Sequence, residues 1–357
     1  MDKDFLQFLF CPECRKALEL EVFQEKNGRV QEGLLYCSCG ALFPITGSIP
    51  RIVKDNLKLY KEFWQKYKGK IKKPALSFKE EEVSRETKLK KRTQSSFGYQ
   101  WRTFYEMSCD FKENFLNYIY PIEPEFFKGK IGLDAGCGFG RHIYNAAKFG
   151  AKMVGIDYSR AIESSYQNTA TLKDVHLIQG DIYQPPFAKE SFDFVYSIGV
   201  LHHLPQPEMG FRSLVEYVKP KGSIFIWVYS DQRKFTLRLV EMTRKVTTRL
   251  PLGILKVICY IAAFLDYYFF IRPLAFLKKS KLLKKTGLEK LIFPRIWLYS
   301  KYPFQVNFAD WFDRLSAPIR FYYNEKEISE WFTQAGLKNI KVSSTDYYGI
   351  RAYGEKA

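Results

Sequence analysis

Residues 131–142 of the chain read Ile-Gly-Leu-Asp134-Ala-Gly136-Cys137-Gly138-Phe-Gly140-Arg-His. An apolar run typical of a β-strand ends on an acidic residue, and three alternate glycines lead into a segment with helical apolar spacing that stops at Gly150. Glycine lets the backbone bend tightly and approach a ligand, because it has no Cβ. The stretch therefore predicts a strand, a glycine-rich loop and a helix, as in the nucleotide sites of open α/β sheets.

The glycine spacing distinguishes two kinds of nucleotide site. A dinucleotide site has the pattern G-x-G-x-x-G, but here the third glycine position is occupied by Arg141. The chain instead reads D-x-G-x-G-x-G, which resembles motif I of the class I S-adenosylmethionine (SAM) methyltransferases. In that family the loop passes under a methionine moiety and not under a pyrophosphate. A glycine motif on its own is also compatible with a tight turn that binds nothing.

Further apolar runs follow the motif in the order expected for alternating strands and helices. Two of them end on the acidic residues Asp157 and Asp181, and another reaches Ser197. Asp157 lies 23 residues after Asp134, close to the interval for an acid that holds ribose hydroxyls. One such acid is usually a helix cap or a turn residue, but three at this spacing favour a ligand site.

The resemblance covers about residues 97–230 and 318–357, and it implies an α/β fold. The expected architecture is a Rossmann-like, mostly parallel seven-stranded sheet with helices on both faces, a small N-terminal zinc ribbon and a helical insertion. Continuous apolar strands are typical of such buried parallel sheets. Asn324 and Glu327 predict a capping box for a helix that extends to Ala335. The strand-like runs 337–343 and 348–353 would close the sheet as an antiparallel pair, as in the family.

The open sheet places ligands at the carboxyl ends of its strands. In the family an acid at the position of Asp181 accepts a hydrogen bond from the adenine amino group. The short element Phe97-Gly-Tyr99-Gln-Trp101 resembles one that lies over the cofactor in zinc-ribbon-fused methyltransferases. The residues predicted to bind SAM are Tyr99, Trp101, Asp134, Gly136, Cys137, Gly138, Gly140, Asp157, Tyr158, Asp181, Ile182 and Ser197.

His202 and His203 follow the fourth strand and are expected to face the methyl group that is transferred. Histidine is a suitable general base near neutral pH, and a base is needed when the acceptor is a hydroxyl or a protonated amine. The alternative is that one ring packs and the other hydrogen-bonds a loop carbonyl. The pair occurs widely in the family whatever the substrate, which favours a structural or pocket-shaping role.

Four of the seven cysteines lie near the start of the chain, at Cys11, Cys14, Cys37 and Cys39. Two short thiolate pairs can meet around one tetrahedral Zn²⁺, which a segment of about 50 residues needs because its core is too small to fold alone. The second pair is C-x-C and not the commoner C-x-x-C. Unliganded thiols or a redox pair are the alternatives. The segment resembles the zinc ribbon that precedes many bacterial methyltransferases.

The net charge of +18 is concentrated in two segments. Residues 54–92 carry 14 basic and 6 acidic side chains, and residues 231–301 carry 16 basic and 4 acidic. Such fields concentrate anionic partners, although a solvated linker explains the first segment equally well. The expected organisation is a zinc ribbon (1–53), a basic linker (54–95) and a methyltransferase domain (96–357) with a helical cap inserted at 231–317. The N-terminus lacks a secretory signal pattern, which predicts a cytoplasmic protein.

The insertion mixes bulky apolar and basic residues, most clearly over residues 256–273. Because Lys256, Asp266 and Arg272 interrupt the apolar run, the sequence argues against a membrane-spanning helix. Two interpretations remain. The insertion is either a cap over the mouth of the site or an interfacial surface that rests on anionic lipid.

Three functions are compatible with these patterns. The favoured one is an enzyme that uses SAM to methylate a small molecule, a sugar or a lipid-linked acceptor. An RNA methyltransferase is the alternative, but the fourth strand reads Ser197-Ile-Gly-Val, where many base-amino methyltransferases have an Asn-Pro-Pro-Tyr-type motif. This difference makes nucleic acid the less favoured partner. The third is a SAM-binding protein without catalysis, against which the intact acids and glycines argue.

Overall fold

The computed structural model describes residues 1–54, 56–71, 85–232, 234–278, 294–345 and 349–357. The strands are β1 (Glu19–Lys26), β2 (Arg29–Tyr36), β3 (Leu42–Thr46), β4 (Ile49–Ile52), β5 (Ile131–Ala135), β6 (Lys152–Asp157), β7 (Val175–Gly180), β8 (Phe192–Ile198), β9 (Val218–Tyr229), β10 (Lys338–Ser344) and β11 (Gly349–Glu355).

The α-helices are α1 (Asn56–Leu59), α2 (Lys61–Lys66), α3 (Arg85–Thr103), α4 (Lys112–Ile119), α5 (Arg141–Lys148), α6 (Ile162–Thr169), α7 (Pro207–Val215), α8 (Lys234–Thr247), α9 (Leu252–Leu265), α10 (Arg272–Lys278), α11 (Pro294–Ser300), α12 (Phe304–Ser316) and α13 (Glu325–Gln334). Short 3-10 turns occur at Lys3–Phe8, Pro124–Phe127 and Leu201–His203, and a π-helical turn occurs at Asp266–Ile271.

The strands form one sheet in the order β1-β2-β3-β4-β7-β6-β5-β8-β9-β11-β10. The part from β7 to β10 contains the seven predicted strands, and β11 runs antiparallel to β9 and β10 as expected. Strand β5 pairs in parallel with β6 on one side and with β8 on the other. The connections from these strands diverge there, which opens a crevice at their carboxyl ends.

The sheet is larger than the predicted seven strands, because the N-terminal ribbon continues it. Strand β4 pairs in parallel with β7, with Arg51 opposite Gln179 and Ile52 opposite Gly180. Strands β1 to β3 extend the sheet further by antiparallel pairing. Within residues 54–95 the described part contains α1, α2 and the first half of α3. The boundaries at 53 and 95 stay a prediction.

Helices cover both faces of the sheet, as predicted. On one face, α4 and α5 contribute Phe115 and Ile143 to a core that includes Phe194. On the other face, α7 and α13 contribute Phe211 and Phe332 to the second core. Burial on both faces explains why the strands are continuous apolar runs and do not alternate with polar residues.

The predicted capping box at the start of α13 is present. The Asn324 side chain accepts a hydrogen bond from the Glu327 backbone N–H at 3.0 Å, and the Glu327 carboxylate accepts one from the Asn324 N–H at 2.8 Å. Gly336 follows the helix at a φ of 72°, the left-handed conformation that ends many helices. Local chemistry therefore determines both ends of this helix.

The insertion forms helices α8 to α12 in the described residues. Helix α9, the π-turn and the start of α10 run continuously from Leu252 to Phe276, and by length and composition alone this helix could cross a membrane. One such helix is weak evidence, because buried helices of soluble proteins meet the same criterion. The face with Leu255, Cys259 and Ala263 packs on α12. The charges that interrupt the run therefore do not break the helix.

Candidate active site

A cavity of about 1370 Å³ lies at the carboxyl ends of the parallel strands, between the sheet and helices α3 and α12. Strands β5 to β8 end at its floor, and the cap forms its roof. Nine of the predicted residues line it: Trp101, Gly136, Cys137, Gly138, Asp157, Tyr158, Asp181, Ile182 and His203. The structure thus brings residues from separate strand ends to one surface.

The glycine loop has the backbone conformation that its sequence predicts. Gly136, Gly138 and Gly140 have φ values of 89°, 54° and 94°, where side chains are strongly disfavoured. A Cβ on Gly136 would lie 2.4 Å from Cγ2 of Val200. Gly140 does not line the cavity. It faces α6, where a Cβ on this residue would lie 2.8 Å from Oγ of Ser165. The first glycine allows the turn, and the last allows helix packing.

Asp157 ties the end of β6 to the glycine loop. Its Oδ2 accepts a hydrogen bond from the Gly138 N–H at 3.0 Å, and its Oδ1 accepts from the N–H and the hydroxyl of Ser159 at 2.8 and 2.7 Å. Enclosure by the protein raises the pKa of Asp157, although these donors act in the opposite direction. Three hydrogen bonds therefore fix the carboxylate at the cavity wall.

Asp181 forms the neighbouring acidic position. It accepts from the Tyr183 N–H at 3.0 Å, and its Oδ2 lies 3.0 Å from Nζ of Lys90. The Lys90 ammonium also lies 5.4 Å from the centre of the Tyr158 ring. Lys90 could not be predicted from the sequence, because it belongs to a basic run and is 91 residues from its partner. No local pattern indicated the pairing.

Five predicted residues do not line the cavity. Tyr99 packs against Phe312 of α12, and Ser197 donates its hydroxyl to the Ala135 carbonyl at 2.8 Å. Gly140 and His202 are buried behind the wall. Asp134 is only 2 % exposed, and burial raises its pKa to about 8. A direct contact between these residues and a ligand stays a prediction.

The two histidines occupy different positions. His203 lines the cavity, and its Nδ1 lies 2.7 Å from the Ile319 carbonyl, so that Nδ1 carries the proton and Nε2 is an acceptor. Burial lowers the pKa of His203 to about 3 and that of His202 well below its usual range. Both rings are therefore neutral near pH 7.

Asp313 of α12 lies in a polar group that no local sequence pattern brought together. Tyr229 donates to its Oδ2 at 2.7 Å, and Arg320 lies 3.5 Å from the same oxygen. Burial acts to raise the pKa of Asp313, but Arg320, His203 and the hydrogen bonds from Tyr229 and Gln100 together outweigh burial, and the pKa is lowered. In the described structure, Nε of Arg320 and Oε1 of Gln100 are buried without a hydrogen-bond partner. Both residues line the cavity.

The four N-terminal thiols meet in a separate cluster. The Sγ atoms of Cys11, Cys14, Cys37 and Cys39 all lie within 4.8 Å of one another, and those of Cys14 and Cys37 are 3.3 Å apart. A tetrahedral zinc ion with Zn–S bonds of about 2.3 Å holds its sulfurs about 3.8 Å apart. The donor set and spacing therefore fit zinc after small adjustments.

Comparison with known proteins assigns the central region. Residues 133–226 match a family described as "Methyltransferase domain". The sterol 24-C-methyltransferase of Yarrowia lipolytica is 30% identical over 154 residues, which are 38% of this chain and 39% of that protein. The ubiquinone biosynthesis O-methyltransferase of Hydrogenovibrio crunogenus is 27% identical over 169 residues, covering 44% of this chain and 69% of that protein. The chain spans 34% to 39% of the length of the first three curated relatives.

Solved structures of proteins described as methyltransferases align over much of the chain. A SAM-dependent methyltransferase from Aquifex aeolicus covers 72% of this chain and 98% of its own, at 14% identity and a TM-score of 0.39. A magnesium protoporphyrin IX methyltransferase from Synechocystis, with bound SAH, covers 76% and 99% at 14% identity and a TM-score of 0.44. On its strand order, its glycine loop and the family match, the chain carries a class I SAM-dependent methyltransferase domain.

Proposed function

We propose that the chain is an enzyme that transfers the methyl group of SAM to a small-molecule acceptor of lipid character. The observation that carries this proposal is the continuity of the cavity. One end holds the glycine loop, Asp157 and Asp181, and the other is lined by apolar and aromatic side chains with the polar group around Asp313. Donor and acceptor can therefore occupy one enclosed space.

The cofactor end offers a suitable partner for each part of the nucleoside. Asp157 would accept from the ribose hydroxyls, and Asp181 would accept from the adenine amino group after releasing Lys90. The bound sulfonium supplies an already activated methyl group. The glycine loop and Trp101 would hold the donor at a fixed distance from the acceptor and exclude water. Such positioning lowers the barrier by about 7–11 kcal/mol in well-oriented systems.

The acceptor end is mostly apolar and has few polar atoms. Arg320, Asp313 and Tyr229 line this end and would orient a hydroxyl or another polar atom of the acceptor. Of the two histidines considered as bases, only His203 reaches the cavity, where Nε2 can accept a proton. Because its pKa is about 3, we propose that it orients the acceptor more than it removes a proton.

The relatives support a lipid-like acceptor. Two groups of similar proteins are named for sterols and for ubiquinone biosynthesis, and both names refer to largely apolar molecules. A large apolar cavity with a few convergent polar groups is typical of sites for such ligands. We also propose that Cys11, Cys14, Cys37 and Cys39 hold a structural zinc ion, which would stabilise the ribbon.

Two measurements test the proposed function. Calorimetry should show binding of SAM and of its demethylated product, and no binding of a nicotinamide dinucleotide. Labelled SAM should then transfer its methyl group to the lipid fraction of a cell extract, with glycan and RNA fractions as parallel samples. Incorporation confined to RNA, with a steep dependence on salt, would establish the RNA alternative. SAM binding without incorporation into any fraction would indicate a non-catalytic protein.

A further inference from the structure

We infer that the outer faces of α8 and of the helix Leu252–Phe276 dock on an anionic membrane surface, from which the acceptor enters the cavity. The acceptor part of this inference rests on the proposed function. The docking part does not, because it depends only on the surface of the cap.

The helix Leu252–Phe276 presents an exposed apolar face. Its large hydrophobic residues with at least 40% of their surface exposed are Ile254, Val257, Ile258, Tyr260, Ile261, Phe264, Leu265, Tyr268, Phe269, Phe270 and Phe276. Positions three or four apart share one side of a helix, and these residues recur at that spacing. Monomeric soluble proteins rarely expose so many large apolar side chains together.

Helix α8 adds a second exposed stripe. Leu239, Met242 and Val246 are three and four residues apart and are 52%, 64% and 64% exposed. The opposite side of α8 is attached to α12: Arg244 Nη2 donates to the Ala317 carbonyl at 2.6 Å, and the Thr247 hydroxyl donates to the Leu315 carbonyl at 2.9 Å. Each helix therefore has an inner face held by the cap and an outer apolar face.

The inner contacts favour a helix that lies on the membrane over one that crosses it. Asp266 points inward, where its Oδ2 accepts from Trp311 Nε1 at 3.0 Å and from Asn307 Nδ2 at 3.3 Å. Leu255 and Cys259 are completely buried in the same interface. A spanning orientation would remove these contacts and place the Asp266 carboxylate in hydrocarbon, whereas an interfacial orientation preserves them.

Charge identifies the membrane as an anionic one. Residues 231–301 carry a net charge of +12, and the exposed basic side chains on α8, in the turn before α9 and on α10 are Lys234, Arg238, Lys245, Arg249 and Arg272. Basic residues beside an exposed apolar helix face are the pattern of interfacial helices on anionic lipid. RNA would match the charge but would leave the aliphatic side chains in water.

The cavity reaches the outer face of α8. Leu237, Leu239 and Val240 of α8 line the cavity, and Leu239 is also part of the exposed stripe. Tyr299 of α11 lines the cavity as well, and it packs against Tyr267 and Ile271 on the inner side of the long helix. An apolar acceptor can therefore pass from the lipid to the cavity without crossing water.

The docking is tested with the full chain and two kinds of vesicle. Vesicles of phosphatidylcholine with phosphatidylglycerol should sediment the protein, and vesicles of phosphatidylcholine alone should sediment much less. Ile261→Asp combined with Phe269→Asp should weaken binding to the anionic vesicles about tenfold or more, since two exposed apolar side chains become charged. Met209→Asp on α7 is the matched control, because Met209 is 49% exposed but lies outside the cap. It should bind vesicles as the unchanged protein does.

Several results would overturn the docking. The first is that the protein binds neither vesicle, and the second is that Met209→Asp weakens vesicle binding as much as the double variant does. The third is that the protein stays in the membrane after an alkaline carbonate wash. The fourth is that it binds RNA and not lipid. Circular dichroism and the Tm show whether the double variant is folded. Calorimetry of the unchanged chain with SAM separates these results from a failure of the proposed function.

The route of the acceptor has its own test. With a cell lipid extract as acceptor, the double variant should lose methyl transfer to lipid in anionic vesicles and retain it in detergent micelles. An equal loss of methyl transfer in vesicles and in micelles would contradict entry of the acceptor from the membrane.

Discussion

At the scale of single residues, Asp157 is the group on which SAM binding should depend most. Asp157→Asn keeps the shape of the side chain but removes its charge, and charge-assisted hydrogen bonds are worth about 1.5–3 kcal/mol each. We expect calorimetry to show SAM affinity reduced about tenfold or more. Asp174→Asn, an exposed acid before β7, is the control and should change nothing. Equal affinity in both variants would remove Asp157 from the site.

The loop glycines lead to a second residue-level prediction. Gly136→Ala introduces a Cβ at a φ of 89° and 2.4 Å from Val200, whereas Gly129→Ala has a similar φ of 73° with nothing within 4 Å. Both substitutions strain the backbone, at a cost of about 1 kcal/mol. Gly136→Ala should lose a further ~1–3 kcal/mol through the clash. Urea unfolding of the two variants measures the difference, and equal losses would show that the loop can move away from Val200.

Asp134 should make stability depend on pH. Its pKa is about 8 in the folded protein and near its ordinary low value when unfolded, so the folded state binds the proton more tightly. The contribution of Asp134 to stability is therefore greatest at low pH and is lost as the pH rises towards 8. Asp134→Asn removes this loss. The Tm of the variant, relative to that of the unchanged chain, should therefore rise as the pH goes from about 5 to about 8. A constant difference across that range would show that Asp134 is not buried as a neutral acid.

At the scale of elements, the ribbon depends on its four thiols. Metal analysis should find one zinc ion per chain, and Cys11→Ser should abolish it, because three thiolates bind zinc much less tightly than four. Cys109→Ser, outside the cluster, is the matched control and should retain the metal. A metal-free native chain would mean that the thiols are only packing residues.

At the scale of the whole molecule, the ribbon and the methyltransferase sheet share one set of hydrogen bonds. Arg51 on β4 is 3% exposed and contacts Gln179 of β7, so unfolding of the ribbon would expose the edge of β7. Removal of zinc with a chelator should therefore lower the Tm of a single cooperative transition. Calorimetry that shows two transitions, with the larger one unmoved by the chelator, would contradict this coupling.

Local sequence alone determined the glycine loop, the apolar strands, the acids near their ends, the capped helix α13 and the two short cysteine pairs. Each depends on residues close together in the chain, where backbone conformation and apolar spacing act directly. Tertiary structure alone decided the contact of Lys90 with Asp181, the polar group around Asp313, the separation of His203 from His202 and the extension of the sheet by β4. These features join segments far apart in sequence. Packing selects such contacts, and no local pattern encodes them.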